Sequence, residues 1–362
     1  VALLDLSDEL VCHIFLHTDL ATLQAVKSSG SRHLLSLARQ TLVSSDAWSK
    51  QHRSNAKALE REKRLVFSHS FTPGSSGNGI GAVCHMPSGQ LAVGTEGPDG
   101  SAVMFVTVEG EVQRRIGRKG RGPGEFCEPY SVRCDGQFLF VADKQNDRVQ
   151  KLTLEGAPLC EYSGQPQQLF DPRDVALTNG RVYVSSFVGV SVFDTDLNFL
   201  FRFGEHGRHP GQFNKGPHGL AVYDDRIIVT DPYNNRLQLF TLDGHLIRVV
   251  GRKGDGRGEF LKPLGVAVNN GLMYVSEHHG RRLQVLDADT AESLQSIVPP
   301  LPCTGSSLLG AVSASNLHVC VAGVGAGCVF VFDARSRPVA RKGKVFWLQR
   351  STTEFRRDST RR

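Results

Sequence analysis

The chain has 362 residues and a formal net charge of +6, and it is too long for one small domain. Residues 334–362 hold ten Lys or Arg residues against two acidic residues, so the basic charge belongs to the C-terminal tail. The remainder is slightly acidic, and overall charge does not by itself indicate a nucleic-acid-binding protein. We expect the basic tail, residues 344–362, to be disordered.

The eight cysteines include no Cys-x-x-Cys pair, and most fall within apolar runs. This pattern is typical of reduced core residues in an intracellular protein, so we expect a cytoplasmic or nuclear location. No signal-peptide pattern occurs at Val1. The apolar stretch 317–332 is shorter than the roughly 20 residues of a membrane-spanning helix, so we expect no membrane association.

Residues 1–52 lack glycine-rich turns and predict a small α-helical domain. Leu6, Leu10 and Ile14 recur at helical spacing, and Ser7 supplies an N-cap. The run resembles the opening of an F-box. This resemblance implies docking of a Skp-type adaptor of a cullin–RING ligase through five apolar residues: Leu6, Leu10, Ile14, Phe15 and Leu23.

Later segments extend the F-box-like pattern. Residues 20–26 are similar to its second helix and residues 34–48 to its last, although residues 27–31 interrupt the pattern and Ser7 stands where F-boxes have proline. The alternative is an unrelated helical cap. The charged residues 53–64 predict a helical linker to the rest of the chain.

The remaining chain is built from a repeat. Phe126, Phe170, Phe213 and Phe260, each followed closely by proline, are separated by 44, 43 and 47 residues. A period in this range is typical of β-propellers, in which each repeat forms one four-stranded blade.

The repeat is clearest in residues 211–250. A Gly-Gln-Phe step at 211–213 precedes apolar runs, and an Asn-x-Arg-Leu-Gln-Leu-Phe motif follows at 234–240. Residues 258–298 and, in part, 124–150 repeat these motifs. Together they resemble the consensus of the NHL-repeat family. The resemblance implies a β-propeller that binds protein or RNA through one face.

Weaker copies at 82–106 and 311–332 raise the number of blades to six, within residues 65–343. The fold class is therefore mainly β, with a six-bladed NHL-type propeller behind a small α-helical domain. We expect inner strands near residues 82, 131, 174, 219, 265 and 311. Either residues 65–67 or residues 345–347 could supply the strand that closes the ring.

Inter-blade loops and the loops between second and third strands emerge on one face of a propeller, where ligands usually bind. The basic residues of three inter-blade loops and two histidines, whose charge can titrate near neutral pH, define the expected ligand-binding face. These residues are Arg118, Lys119, Arg121, Arg208, His209, Lys215, His218, Arg252, Lys253, Arg257 and Lys262. Such a face could bind an acidic peptide or RNA phosphates, or its loops could be only solvated turns. Aromatic residues suited to base stacking are sparse there, Tyr130 and Tyr233 being the main candidates.

An acidic residue and an arginine stand five positions apart in three blades. The pairs are Asp143 with Arg148, Asp231 with Arg236, and Glu277 with Arg282. Recurrence at one spacing favours a structural role, in which the carboxylate caps a turn and pairs with the arginine. Blade 3 has a shorter central hairpin, within residues 184–192, and lacks the pair.

Six-bladed propellers include metal-dependent lactonases and a lyase, which need several carboxylate or histidine ligands at the starts of the inner strands. Here only Asp174 and His218 occupy such positions, and two ligands do not form a catalytic site. We therefore expect no catalytic residue, no metal site and no cofactor. His278 and His279 are expected at the surface.

These observations favour a non-enzymatic adaptor, a substrate receptor of a cullin–RING ubiquitin ligase whose propeller binds a protein ligand. An RNA-binding NHL protein is the first alternative, and a hydrolase or lyase with its site in the propeller channel is the second.

Overall fold

The computed structural model describes residues 65–73, 79–97, 100–164, 168–178, 180–300, 308–324, 327–334, 339–341 and 344–346. The chain divides into two units, Val1–Glu60 and Arg61–Arg362, and all described residues belong to the second. The helical domain, the linker and the adaptor-docking residues expected from the sequence lie outside the described residues.

The described residues form six antiparallel four-stranded sheets. Blade 1 consists of β2 (Gly79–His85), β3 (Leu91–Glu96), β4 (Ala102–Val106) and β5 (Val112–Ile116). Blade 2 consists of β6 (Pro129–Cys134), β7 (Phe138–Asp143), β8 (Arg148–Thr153) and β9 (Pro158–Tyr162). Blade 3 consists of β10 (Asp174–Thr178), β11 (Arg181–Ser186), β12 (Gly189–Asp194) and β13 (Phe199–Phe203).

After the short parallel pair β14 (Glu205–His206) and β15 (Gln212–Phe213), blade 4 consists of β16 (Leu220–Tyr223), β17 (Arg226–Asp231), β18 (Arg236–Thr241) and β19 (Leu246–Val250). Blade 5 consists of β20 (Pro263–Asn269), β21 (Leu272–Glu277), β22 (Arg282–Asp287) and β23 (Ser293–Ile297). Blade 6 consists of β24 (Leu308–Ala314), β25 (His318–Val324), β26 (Cys328–Asp333) and β1 (Val66–Phe71).

The blades close into a ring. The first strands of successive blades contact one another, including β24 of blade 6 with β2 of blade 1. The expected six blades are confirmed, and the six inner strands lie at or within one residue of the expected positions. Among the two candidate closing segments, the structure uses β1, which pairs antiparallel with β26 from Val66 opposite Asp333 to Phe71 opposite Val329.

The second candidate for closure takes another partner. Lys344–Phe346 forms β28, which pairs with β27 (Val339–Arg341) in a separate two-stranded hairpin. These three residues were expected in a disordered tail, and the structure instead places them in a strand. Residues 347–362 lie outside the described residues.

Six hydrophobic clusters lie between neighbouring blades and form the core. Both faces of the central strands are covered, which is why β7 and β21 begin with runs of five and four apolar residues rather than alternating. The cluster between blades 1 and 2 illustrates the packing: Phe105, Phe126, Val132 and Val141 are all buried.

The repeated phenylalanine has a packing role that requires a glycine. Phe126, Phe213 and Phe260 are fully buried. At Gly117, whose φ is 75°, an added Cβ would lie 2.3 Å from the ring of Phe126, so only glycine fits beside it. The loops that enter blades 4 and 5 have the same arrangement at Gly204 and Gly251.

Phe170 does not occupy the equivalent position. Leu169 is fully buried in the core between blades 2 and 3, while Phe170 is 43% exposed. The assignment of Phe170 to the repeat was therefore wrong by one residue. Leu169 stands three residues before Pro172, the same spacing that separates Phe126 from Pro129.

Candidate functional site

One face of the ring, the upper face, carries the inter-blade loops that lead to each inner strand and the turns between second and third strands. The Arg–acid pairs hold these loops in place. Their Nε-to-carboxylate distances are 3.0 Å for Arg148 and Asp143, 2.8 Å for Arg236 and Asp231, and 2.6 Å for Arg282 and Glu277. All three carboxylate side chains are fully buried.

Each pair also binds the backbone of its inter-blade loop. In blade 2, Arg148 donates to the carbonyl oxygens of Arg121, Gly122 and Glu125 at 2.7–2.9 Å. The carboxylate of Asp143 accepts a hydrogen bond of 2.7 Å from the amide of Cys127. A glutamine two residues after each arginine makes a further backbone contact: Gln150, Gln238 and Gln284 accept from the amides of Gly124, Gly211 and Gly258. The loops are consequently pre-organised by buried side chains.

Most basic residues expected on the ligand-binding face are exposed there. The exposed set is Arg118, Lys119, Arg121, Arg208, His209, Lys215, Arg252, Lys253 and Arg257. Two of these charges are compensated within their own loops, since Arg118 pairs with Glu125 at 2.7 Å and Arg252 pairs with Glu259 at 2.8 Å. The expected ligand-binding face therefore carries less net positive charge than its composition indicates.

His218 does not contribute a switchable charge. Burial, together with the nearby cation Arg173, holds the pKa of His218 well below its usual value, so the ring stays neutral at physiological pH. The expectation of a titratable charge at this residue is thus wrong. His218 lines the mouth of the channel with Tyr130 and Arg173.

Two lysines beside the channel mouth keep uncompensated charges. Lys215 and half-buried Lys262 each have their ammonium group 5.1 Å from the ring centre of Tyr233, which is 40% exposed. Within the described residues, no carboxylate lies within ion-pair distance of either lysine. By contrast, Lys144 on the other side of the mouth pairs with Glu128 at 2.9 Å.

Blade 3 adds two exposed aromatic rings that the sequence reasoning missed. Phe170 and Phe187 are 43% and 42% exposed, and their rings meet edge to face with centroids 6.0 Å apart. The shortened hairpin places Phe187 on the upper face, and its amide donates to the carbonyl oxygen of Phe170 at 2.8 Å. The two-residue spacing between Phe170 and Pro172 was the available signal that Phe170 lies outside the repeat.

Inside the channel, the negative charge of Asp174 is balanced by a neighbouring arginine. Arg133 lies 3.1 Å from Asp174, and the hydroxyl of Ser131 donates to the same carboxylate at 2.7 Å. Arg133 also lines a cavity of about 240 Å³ at the lower end of the inner strands. Nowhere among the described residues do three His, Cys, Asp or Glu side chains converge in a way that could hold a metal ion.

The histidine doublet lies in the turn between the second and third strands of blade 5. His279 is exposed and His278 is half-buried, and the two rings lie 5.1 Å apart. Burial and the proximity of Lys262 lower the pKa of His278 to about 4. His278 is therefore less exposed than expected, and it stays neutral at physiological pH.

The described cysteines are free thiols. Burial raises the pKa of Cys320 to about 12, so this thiol stays protonated. The part of the chain that the structure describes has no helix with the length and hydrophobicity that a membrane crossing requires.

The ring and its upper face define a six-bladed β-propeller with pre-organised loops. In agreement, the family described as 6-bladed beta-propeller matches residues 213–308. Human (Homo sapiens) E3 ubiquitin-protein ligase TRIM32 is 29% identical over 180 residues, which are 49% of this chain and 22% of TRIM32. The mouse (Mus musculus) protein matches similarly, at 29% over 178 residues. The chain thus aligns with about a fifth of the length of these relatives.

Solved structures resemble the fold at low sequence identity. Virginiamycin B lyase from Staphylococcus aureus has a TM-score of 0.52 and 10% identity, covering 75% of this chain and 99% of that chain. A gluconolactonase from Xanthomonas campestris has a TM-score of 0.54 and 14% identity, covering 74% and 94%. At these identities the likeness concerns the fold alone.

Proposed function

We propose that the chain is a non-enzymatic NHL-type adaptor whose propeller binds a protein ligand on its upper face. The observation that carries this proposal is the combination of pre-organised loops with exposed aromatic rings and two uncompensated lysines beside the channel mouth. Partially exposed aromatic side chains are typical of protein-binding hot spots. The similarity to TRIM32 and the recurring Asn-x-Arg motifs support the assignment to the NHL type.

The F-box-like segment adds the second half of the proposal. Its apolar residues would dock a Skp-type adaptor, and the propeller would present a bound protein for ubiquitination. The relative TRIM32 is itself named an E3 ubiquitin-protein ligase, which supports a ligase context. We place the protein in the cytoplasm or nucleus and assign it no cofactor.

The channel residues favour an adaptor over an enzyme. Asp174 is engaged by Arg133 and Ser131, so its carboxylate is not free to bind a catalytic metal. His218 is the other candidate ligand, and a metal-dependent hydrolase or lyase needs more ligands than one histidine.

Binding of RNA is the second candidate function, and the exposed lysines and arginines of the upper face favour it. It ranks behind protein binding because Glu125 and Glu259 compensate two of the arginines within their own loops. At the mouth, the charges of Lys144 and Arg173 are likewise compensated, by Glu128 and Asp171.

A pull-down with a purified Skp-type adaptor tests the proposal. In the full chain, replacing Leu10 and Phe15 with glutamate should abolish adaptor binding, because the docking face would become charged. Leu59→Glu, in the linker, is the matched control and should retain binding. The thermal midpoint of the propeller should be the same in all variants.

Two results would contradict the ligase role: wild-type chain that captures no adaptor, or capture that survives the Leu10 and Phe15 substitutions. A parallel ultraviolet crosslink to RNA distinguishes the second candidate function, because RNA adducts without adaptor capture would favour an RNA-binding protein.

A further inference from the structure

We propose that five upper-face residues form a binding site for an acidic peptide segment with an apolar anchor. This aromatic–lysine patch consists of Phe170, Phe187, Lys215, Tyr233 and Lys262. An apolar side chain of the partner would lie on the two phenylalanines, and its flanking carboxylates would bind the two lysines. The inference rests on the proposed protein-binding function and names the class of ligand.

The patch is continuous from blade 3 to blade 5. Phe187 packs against the segment that follows Lys215, since a Cβ added at Gly216 would lie 2.7 Å from the Cα of Phe187. Lys215 in turn lies over Tyr233, and Lys262 approaches the same ring at the same distance of 5.1 Å. An apolar surface thus adjoins two cations that are separated by one aromatic side chain.

The backbone holds both lysines in place. Lys215 and Lys262 each have a φ of 57°, in the left-handed region that non-glycine residues seldom adopt. The amide of Lys262 donates to the side-chain oxygen of Asn235 at 3.0 Å. Such pre-organisation lowers the entropic cost of binding a ligand.

Asp171 occupies the position in blade 3 that is equivalent to Lys215 and Lys262, and its charge, unlike theirs, is compensated by an ion pair. Asp171 has the same left-handed backbone, with a φ of 54°. Its carboxylate pairs with Arg173 at 2.7 Å and lies 4.0 Å from Lys144. Across the described part of the upper face, Lys215 and Lys262 have no such partner, so they remain available to carboxylates from outside. Their contacts with Tyr233 orient the ammonium groups without neutralising them.

A peptide fits this geometry better than single-stranded RNA. Base stacking requires an open aromatic face, whereas Phe170 and Phe187 meet at 87° and leave an angular apolar surface. Two free lysines offer few of the phosphate contacts on which binding of a nucleic-acid backbone depends. A partner with isolated carboxylates beside one apolar side chain matches both the charge and the shape.

Fluorescence polarisation with the full-length chain tests the inference. The probe is a labelled peptide in which glutamates flank one Leu-Phe pair, compared with its lysine-for-glutamate counterpart and with oligouridylate of equal length. The acidic peptide should bind most tightly, and added salt should weaken it because exposed charge pairs are screened.

Substitutions identify which residues bind the acidic peptide. Phe187→Ala should weaken acidic-peptide binding by roughly tenfold or more, as expected for an aromatic hot spot, and combined Lys215→Glu and Lys262→Glu should abolish it. Leu200→Ala and Arg115→Glu are matched controls, since both residues are exposed on outer strands and lie outside the patch. Their effect should stay within about twofold, which corresponds to surface changes away from a hot spot. Circular dichroism confirms that each variant is folded.

Four results would overturn the inference: no binding of the acidic peptide, equal binding of the acidic and lysine peptides, equal losses in the patch and control variants, or tighter binding of oligouridylate that the patch variants abolish. Adaptor pull-down reports separately on the proposed function. If the Leu10 and Phe15 substitutions abolish capture while the acidic peptide fails to bind, the adaptor role stands and the patch assignment fails.

Discussion

Individual buried side chains hold the inter-blade loops of this propeller against its blades. Arg148 is the clearest case, since one guanidinium satisfies a buried carboxylate and three loop carbonyl groups. An exposed loop of many glycines would otherwise sample many conformations, and fixing it costs conformational entropy. The buried arginine compensates that cost and fixes where the basic side chains of the loop emerge.

Removing the carboxylate partner of Arg148 should therefore destabilise the fold strongly. We expect Asp143→Ala to lower the free energy of unfolding by about 3–5 kcal/mol, because it removes the fully buried carboxylate partner of Arg148, whose other carboxylate partner, Glu161, is only partly buried, and leaves the Cys127 amide without its acceptor. Denaturant titration followed by circular dichroism measures the change.

Asp225→Ala is the matched control, since Asp225 pairs with Arg226 at 3.5 Å on the surface. Exposed pairs contribute about 0–1 kcal/mol, so this variant should remain near wild type. Equal losses in the two variants would show that the buried pair has no special role.

His85 should make stability depend on pH. Burial and the proximity of His318 lower its pKa in the folded protein from 6.5 to about 4. Between these values the unfolded chain binds a proton that the folded chain does not, so the free energy of unfolding falls as pH decreases. This residue should account for about 2 kcal/mol of loss between pH 7 and pH 5.

Unfolding titrations of wild type and His85→Gln over this pH range measure the effect. The variant should show a shallower decline, because glutamine takes up no proton. Parallel declines in the two proteins would exclude His85 as the source.

For individual residues, the sequence predicted recurring side-chain pairs better than it predicted burial. The Arg–acid spacing predicted the pairs because repetition in three blades selects a common geometry. The environment of His218 could not be read from its position in a loop, since its burial depends on side chains from other blades. Phe170 was misassigned because its type, rather than its spacing to Pro172, was matched to the repeat.

Among the strands, β1 is the one that closes the ring. It supplies the outer strand of blade 6 and covers the edge of β26, which would otherwise expose unpaired backbone groups. The ring of Phe67 packs edge to face on Phe332, with centroids 5.8 Å apart. Closure thus joins a strand near the start of the propeller to the last blade.

Phe67→Ala should weaken this closure. Because Phe67 is only partly buried, we expect a loss of about 2 kcal/mol, below the range for a fully buried phenylalanine. Thermal unfolding and hydrogen exchange of β26 measure the loss and its location.

Leu159→Ala, on the exposed outer strand of blade 2, is the control and should change stability by less than about 0.5 kcal/mol. If the two variants behave alike, or if β26 remains protected when Phe67 is truncated, the closing role of β1 would be contradicted.

The number of blades was predictable because each repeat carries its own strand and turn signals. The closing strand was not, since residues 65–67 and 345–347 have the same apolar character and pairing between distant segments leaves no local signal. Blade 3 shows a similar limit. Its shorter hairpin was visible in the sequence, but its consequence, the exposure of Phe187 on the upper face, required the positions of neighbouring loops.

At the scale of the whole molecule, the described residues form a closed ring of six blades whose upper face carries the pre-organised loops. The structural neighbours include a lyase and a gluconolactonase, so the same ring carries different activities in different proteins. Function must therefore be argued from the surface. The sequence predicted several exposed cations of the upper face, but the loop ion pairs and the exposed phenylalanines become visible only in the structure.

Site-specific photocrosslinking tests the central claim, that the upper face binds protein, most directly. A photoreactive phenylalanine analogue placed at Phe187 in the full chain should form adducts with protein in cells, and nuclease treatment should not remove them. The same analogue at Leu200 should form few adducts, because that residue lies on the outer strand of blade 3. Adducts at Phe187 that disappear with nuclease, or equal protein adducts at both positions, would contradict the account.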